Sequence, residues 1–323
     1  MPKTLSIDVR VGPAQRHRAA VADVRAGLSA RPRSIPPVWF YDETGSRLFD
    51  RITRLPEYYL ARREKEILAR HAAEIVEVSE ARALVEIGSG TSEKTRLLLD
   101  AMAAAGRLDR IVLLDISEEV LREAACRLGE TYDVDVQAVV GDFRHDLDAL
   151  GGGPAKLWAF LGSTLGNFPP LDRRRLLERF RDAMAPADRF LLGTDLRKEA
   201  TRLVAAYDDR EGVTAAFNLN VLAVLDAALG ADFDPAGFEH VAVWDAGHSW
   251  IEMRLRSLRA QRVRIADLGM VVDIEEGEEV LTEISAKFDP GLLAAELIGV
   301  GFDGCRRWTD SAGDFQLTLV RPA

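Results

Sequence analysis

The densest chemical signal in the sequence is Leu84-Val85-Glu86-Ile87-Gly88-Ser89-Gly90-Thr91, an apolar run that breaks into closely spaced glycines before a helical stretch. Glycines at a strand-to-helix turn let the backbone approach a ligand and take conformations that a side chain forbids. A dinucleotide fingerprint would need a third glycine where Glu93 stands. A carboxylate beside a pyrophosphate is unfavourable, so nicotinamide and flavin dinucleotides are disfavoured. S-Adenosylmethionine carries no phosphate and tolerates acidic neighbours. The next two apolar runs end in Asp115 and in Asp142-Phe143. Asp115 is placed to accept hydrogen bonds from ribose hydroxyls, or else to cap a helix. Asp142 can accept from an adenine amino group while Phe143 stacks on the base. Ligands in open α/β sheets bind at such strand C-termini.

A fourth run ends in Leu161-Gly162-Ser163-Thr164-Leu165-Gly166-Asn167-Phe168-Pro169-Pro170. Ser163 follows the glycine directly, so this is not the Gly-x-Ser-x-Gly elbow of serine hydrolases. Asn167 can donate to a carboxylate or accept from an amine. It can equally cap the helix that follows Pro170. The histidines, His17, His71, His145, His240 and His248, show no His-Glu-x-x-His spacing, and neither cysteine, Cys126 or Cys305, stands in a ligand motif. No metal site is expected.

Periodicity supplies the scaffold that must position these residues. Segments 83–87, 110–114, 136–140, 156–161 and 189–192 read as short apolar strands. They alternate with helical patterns at 62–79, 93–105, 118–132 and 172–184. Such alternation predicts an α/β fold with a mostly parallel sheet and helices on both faces. After Asp195 the rhythm breaks, with helix over 199–229 and strands at 241–244, 250–256, 261–265 and 279–288. A helix at 290–298 and strands at 302–308 and 315–320 restore the first style. The core is therefore expected to hold 60–198 and 287–323, and a second α+β domain 8–59 and 199–286. Residues 1–20 are polar and expected to be partly disordered at the start. A helix over 19–28 should end before Arg31-Pro32-Arg33-Ser34-Ile35-Pro36-Pro37. The aromatic residues between there and Tyr59 read either as packing or as a lid over a site.

Composition narrows the partners. The net charge of −10 over 323 residues opposes nucleic-acid binding without a local basic patch, and the arginine runs sit among acidic residues at helical spacing. No apolar run approaches a membrane span, and Met1 to Ala20 lacks a signal-peptide pattern. Two distant cysteines suit a reducing cytoplasm. A monomer is adequate.

Nearly end to end, the chain resembles the histidine Nα-methyltransferase family of ergothioneine biosynthesis. The resemblance is carried by Pro36-Pro37-Val38-Trp39-Phe40-Tyr41-Asp42, Ile52-Thr53-Arg54-Leu55-Pro56-Glu57-Tyr58-Tyr59 and Gly88-Ser89-Gly90-Thr91-Ser92-Glu93-Lys94-Thr95. It continues through the Gly162 loop, Gly193-Thr194-Asp195-Leu196, Ala206-Tyr207-Asp208-Asp209, Thr214-Ala215-Ala216-Phe217-Asn218, Ile251-Glu252-Met253 and Leu281-Thr282-Glu283-Ile284-Ser285. The glycine motif is common to many methyltransferases, whereas the aromatic segment and the Thr-Glu-x-Ser motif are far more specific.

The resemblance implies a class I methyltransferase-like core and S-adenosyl-L-methionine as cofactor. It implies that Tyr41, Gly88, Lys94, Asp115, Asp142 and Phe143 hold that cofactor. It implies a catalytic set of Tyr58, Asn167, Tyr207, Thr164 and Gly162, with Asn167 and Tyr207 taking the substrate carboxylate. Tyr58, Glu283 and Ser285 would read an imidazole, and Met253, Phe217 and Phe49 would shape the pocket. The implied reaction is methylation of the α-amino group of L-histidine, up to the trimethyl betaine hercynine. Two other readings stay open: methylation of another amino acid or small amine, and a non-catalytic S-adenosylmethionine-binding protein.

Overall fold

The computed structural model describes residues 3–10, 12–90 and 92–323. Thr91 of the glycine motif, and Met1, Pro2 and Val11 of the N-terminal stretch, lie outside the described residues. From the N-terminus run β1 (Leu5–Val9), α1 (Pro13–Ser29), β2 (Arg33–Ser34), α2 (Glu43–Ile52) and α3 (Leu60–Ser79). There follow β3 (Ala83–Ile87), α4 (Arg96–Ala104), β4 (Arg110–Asp115), α5 (Glu118–Thr131), β5 (Asp135–Val140), β6 (Lys156–Phe160), α6 (Pro170–Ala183) and β7 (Arg189–Asp195). Next come α7 (Ala200–Tyr207), α8 (Val213–Leu229), β8 (Phe238–Asp245), β9 (Trp250–Ser257), β10 (Gln261–Ile265), β11 (Met270–Ile274) and β12 (Glu279–Ala286). The chain closes with α9 (Pro290–Gly299), β13 (Phe302–Thr309) and β14 (Phe315–Pro322).

One compact unit comprises Met1–Gly12, Arg62–Arg197 and Phe288–Ala323. Its eight-stranded sheet has the order β1-β5-β4-β3-β6-β7-β14-β13. Strands β1 to β7 of this sheet pair in parallel, and β14 lies antiparallel between β7 and β13. Every residue of β3 and β6 is buried. Successive side chains of a strand point to opposite faces, so both faces of the sheet centre are covered. This is the α/β, class I methyltransferase-like sheet that was expected. From β3 the strand order runs one way through β4 and β5 and the other way through β6 and β7, which makes the C-terminal ends of β3 and β6 the topological switch point.

The N-terminal expectation needs correction. Residues 5–9 form β1, paired along its length with β5 from Leu5↔Val136 to Val9↔Val140. The Thr4 backbone and hydroxyl both donate to Asp135 at 2.9 Å. Residues 8–12 therefore belong with the core and not with the second unit, and the first helix starts at Pro13 instead of residue 19. An edge strand whose partner lies more than a hundred residues away leaves no local pattern.

The other unit comprises Pro13–Ala61 and Lys198–Lys287. Its four-stranded sheet has the order β2-β12-β9-β8, with β10 and β11 as a separate hairpin. Helices α7 and α8 pack on β8 and β9, and α2 packs on α8. The expected single helix over 199–229 is two, because the chain breaks between Tyr207 and Val213. There Asp209 accepts from the Val213 and Thr214 amides at 3.0 and 2.7 Å and so caps α8. Strand β11 and the short β2 were not anticipated. In β9, buried and half-buried residues alternate strictly, as in an antiparallel strand with one face on the core. In β12 the register slips between Leu281 and Glu283. Among the described residues, no helix is long and apolar enough to cross a membrane.

Candidate active site

The glycine loop leaves β3 at the switch point. Gly88 and Gly90 have φ of +68° and +48°, and a Cβ added to either would meet no atom within 4 Å. The loop thus presents bare backbone to open space. It is anchored on two sides. The Gly88 amide donates to the Leu114 carbonyl at 2.8 Å, and the Gly90 amide donates to Asp115 Oδ2 at 2.9 Å. Behind it, the buried Glu86 carboxylate accepts from Ser92 Oγ at 2.6 Å and from Thr95 Oγ1. Burial pushes the Glu86 carboxyl up to about 7, against the pull of those hydroxyls. Burial likewise raises Asp115. The Ser89 hydroxyl is buried and has no hydrogen-bond partner among the described residues. A buried polar atom without a partner is costly. Together with the bare glycine cradle, it fits a polar ligand such as S-adenosylmethionine.

The β6 loop carries the second group of expected residues. Gly162, at φ +77°, donates its amide to Glu64 Oε1 at 2.8 Å. The other oxygen of Glu64 accepts from Lys94 Nζ. Glu64 lies on α3 and is wholly buried. It therefore links the β6 loop to the lysine that follows the glycine loop. A Cβ at Gly193 on β7 would collide with Glu64 Oε1, which gives that glycine its reason. Glu64 was missed from the sequence. The signal available was a glutamate in the apolar stripe of α3, three and four residues before Ile67 and Leu68. Thr164 Oγ1 donates to the Leu161 carbonyl at 2.9 Å. Asn167 ends a 3-10 turn over Thr164–Asn167. Helix α6 takes Pro169 as its N-cap without a side-chain bond, so the capping alternative for Asn167 is not realised. Among the described residues the half-buried Asn167 amide makes no hydrogen bond.

Asp142 and Phe143 follow β5. The Asp142 carboxylate is already engaged: it accepts from the Arg144 amide at 2.8 Å and pairs with the Arg144 guanidinium at 2.7 Å. Any adenine amino group would take the lone pairs that remain on it. Phe143 is half-buried and packs edge-on against Phe160 and Phe168, with centroids 5.4 and 6.0 Å away.

The remaining expected residues all lie in the second unit. Tyr41, Phe49, Phe217, Tyr58 and Tyr207 form a chain of edge-on and tilted rings, each step 5.9–6.4 Å between centroids. Tyr207 and Ser285 touch through their hydroxyls at 2.8 Å, and Lys287 Nζ donates to both at 2.8 and 2.9 Å. All three are buried. Lys287 also lies over the Tyr207 ring, 4.6 Å from its centroid. No sequence signal singled out Lys287. Glu283 pairs across the sheet with Met253, and Ser285 with Ile251. Glu283 is half-buried, and among the described residues its carboxylate accepts no hydrogen bond. Burial pushes it up to about 7, with the Lys287 charge pulling the other way. Burial also lowers His240, whose Nε2 donates to the Tyr207 carbonyl at 2.8 Å.

A family model described as histidine-specific, S-adenosylmethionine-dependent methyltransferase matches residues 20–322. The chain is 50% identical to a histidine N-alpha-methyltransferase of Mycolicibacterium smegmatis, over 98% of this chain and 99% of that one. It is 49% identical to the protein of the same name in Mycobacterium tuberculosis, again over 98% and 99%. It is 34% identical to ergothioneine biosynthesis protein 1 of Neurospora crassa over 62% of this chain, a stretch that spans 23% of that longer protein. The chain belongs to the family of histidine-specific, S-adenosylmethionine-dependent methyltransferases.

Proposed function

We propose that the protein methylates the α-amino nitrogen of L-histidine, in up to three rounds ending at hercynine, as a step of ergothioneine biosynthesis. The observation that carries this reading is Glu283, a half-buried carboxylate with no hydrogen-bond donor among the described residues, on the same sheet face as Met253 and Ser285. An imidazole N–H meets that need, and an alkyl or indole side chain has no use for both Glu283 and Ser285. A site built to hydrogen-bond a ring nitrogen rejects analogues without one, because its own polar groups would be left unmatched.

S-Adenosylmethionine, when bound, supplies an electrophilic methyl group. The chain's own residues hold and orient. Gly88, Asp115, Asp142 and Phe143 take the nucleoside part, Lys94 the amino-acid carboxylate, and Tyr41 covers the cofactor. Asn167 and Tyr207 take the histidine carboxylate, while Gly162 and Thr164 line the amine. Phe49, Phe217 and Tyr58 offer ring faces that tolerate the growing positive charge of a methylated ammonium. Positioning contributes most of the rate, since the methyl is already activated. Among the described residues no side chain is assigned the role of a dedicated base, and the amine loses its proton to water before each round.

The protein acts as a monomer on a small molecule, without nucleic acid or membrane. Two exposed free cysteines support a reducing cytoplasm.

The test is calorimetry with L-histidine, alone and with S-adenosylhomocysteine, followed by mass spectrometry of a reaction with excess cofactor. Binding, and mass gains of one, two and three methyl groups, are expected. No binding in either condition removes histidine as the substrate. A reaction that stops at monomethylhistidine removes the three-round reading.

A further inference from the structure

The Thr282-Glu283-Ile284-Ser285 run would not place its polar residues correctly in a regular strand. Leu281 pairs with Arg254, yet Glu283 pairs with Met253, so Thr282 is an extra residue in β12. In an unbroken register Thr282 would oppose Met253 and Ile284 would oppose Ile251. Glu283 and Ser285 would then turn to the other face, because a one-residue slip exchanges the faces of a strand. The bulge is what brings Glu283 and Ser285 onto the face of Met253 and Ile251.

A bulge breaks the ladder locally and leaves backbone groups to be satisfied in other ways. Here side chains do this. The Thr282 hydroxyl is buried and points its one proton at the Met253 carbonyl, 2.9 Å away, and at Asn218 Oδ1, 2.7 Å away. Asn218 is wholly buried on α8, and its Nδ2 donates to the Arg254 carbonyl at 3.0 Å and to His240 Nδ1 at 2.8 Å. His240 Nε2 donates to the Tyr207 carbonyl at 2.8 Å. A carbonyl only accepts, so Nε2 carries a proton, while Nδ1 faces the Asn218 amide donor and is bare, which makes the imidazole neutral; the single Thr282 proton is shared between its two acceptors. The network starts at the bulge, takes up the carbonyls of both residues opposite it, and ends on the last residue of α7.

We infer that Thr282 and Asn218 are positioning residues for substrate specificity: their hydroxyl–amide lock holds the β12 bulge that turns Glu283 and Ser285 to the substrate. The inference rests on the histidine reading, and it assigns work to two residues that touch no substrate in that reading. Valine at 282 keeps the shape and the strand preference and removes only the hydroxyl.

The experiment compares the wild type, Thr282→Val and Thr282→Ser. Thr282→Val is expected to raise the KM for L-histidine about tenfold, the size of one lost buried hydrogen bond, with kcat within about threefold. Its affinity for S-adenosylhomocysteine should not change. Binding of β-(2-thienyl)alanine, which has a ring of similar size and no ring N–H, should weaken less than binding of histidine. Thr282→Ser should restore the KM. An unchanged KM in Thr282→Val overturns the inference, as does a loss of cofactor affinity that serine does not rescue. A cross-strand nuclear Overhauser pattern from the wild type gives a readout independent of the variants. Contacts pairing Glu283 with Met253 are expected, and contacts pairing Thr282 with Met253 overturn the inference. A wild type that methylates no histidine would defeat the substrate reading itself, which the Overhauser pattern tells apart from a failed bulge.

Discussion

The hydroxyls of Tyr207 and Ser285 lie 2.8 Å apart, and one buried ammonium, Lys287, donates to both. Lysine can only donate, so both oxygens serve it as acceptors. Removing one oxygen leaves two buried polar groups short of a partner. Tyr207→Phe is expected to raise the KM for histidine about tenfold or more, with cofactor affinity unchanged. Steady-state kinetics beside calorimetry with S-adenosylhomocysteine decides it. An unaltered KM would remove Tyr207 from substrate binding.

Glu283 is the residue whose protonation should be felt on binding. Burial raises its carboxyl to about 7. An imidazole beside it holds one shared proton more firmly than either group alone. At about pH 7.5 to 8 the wild type should therefore take up more protons on binding histidine than Glu283→Gln does. Calorimetry in two buffers of different ionisation enthalpy measures that difference. Equal proton uptake in both proteins would separate Glu283 from the imidazole.

Replacing Glu283 and Met253 together with smaller apolar residues should weaken histidine binding by about 1–3 kcal/mol, the range for lost buried hydrogen bonds. The affinity for an apolar amino acid such as phenylalanine should fall less. Unchanged histidine affinity would contradict the assignment of specificity to this pair.

Glu64 joins Lys94 to the Gly162 amide from a wholly buried position. Glu64→Ala takes the acceptor from a part-buried amide and frees the lysine. Affinity for S-adenosylhomocysteine is expected to fall about tenfold. Glu64→Gln, which can still accept from Gly162, should fall less. If both variants bind as the wild type does, the link is structural only.

Glu86 should leave a mark on stability. Its carboxyl is raised from an ordinary value near 4.5 to about 7 in the folded protein. The folded state then binds the proton more tightly than the unfolded state. This contribution is fully present below about pH 4.5 and is lost as pH rises through about 7. Between about pH 5 and pH 8 the wild-type melting temperature should drop relative to that of Glu86→Gln. Parallel melting curves across that range would place the Glu86 proton elsewhere.

Much of the candidate site could be proposed from the sequence because its motifs are local. Gly88-Ser89-Gly90 needs only its flanking strand and helix to be read, and Asp115 and Phe143 declare themselves by ending apolar runs. Asn167 was ambiguous for the same reason: beside Pro169 and Pro170 a cap and a free amide look alike. Asp142 was read as an acceptor, and what the sequence did not show is that Arg144, two residues on, already takes part of its carboxylate. Geometry in a turn, unlike residue type, is not written in spacing.

The sequence by itself determined the βα rhythm of the core, the insertion after Asp195 and which residues end the core strands, since periodicity of apolar residues encodes which faces are buried. Only the tertiary structure decided that β1 completes the sheet edge, that Glu64 reaches both Lys94 and Gly162, and that the bulge at Thr282 turns Glu283 and Ser285 to one face with Met253. Each of these is a pairing between segments distant in sequence. Alternation along a single strand cannot record a slip against its neighbour, because the slip is a property of the pair.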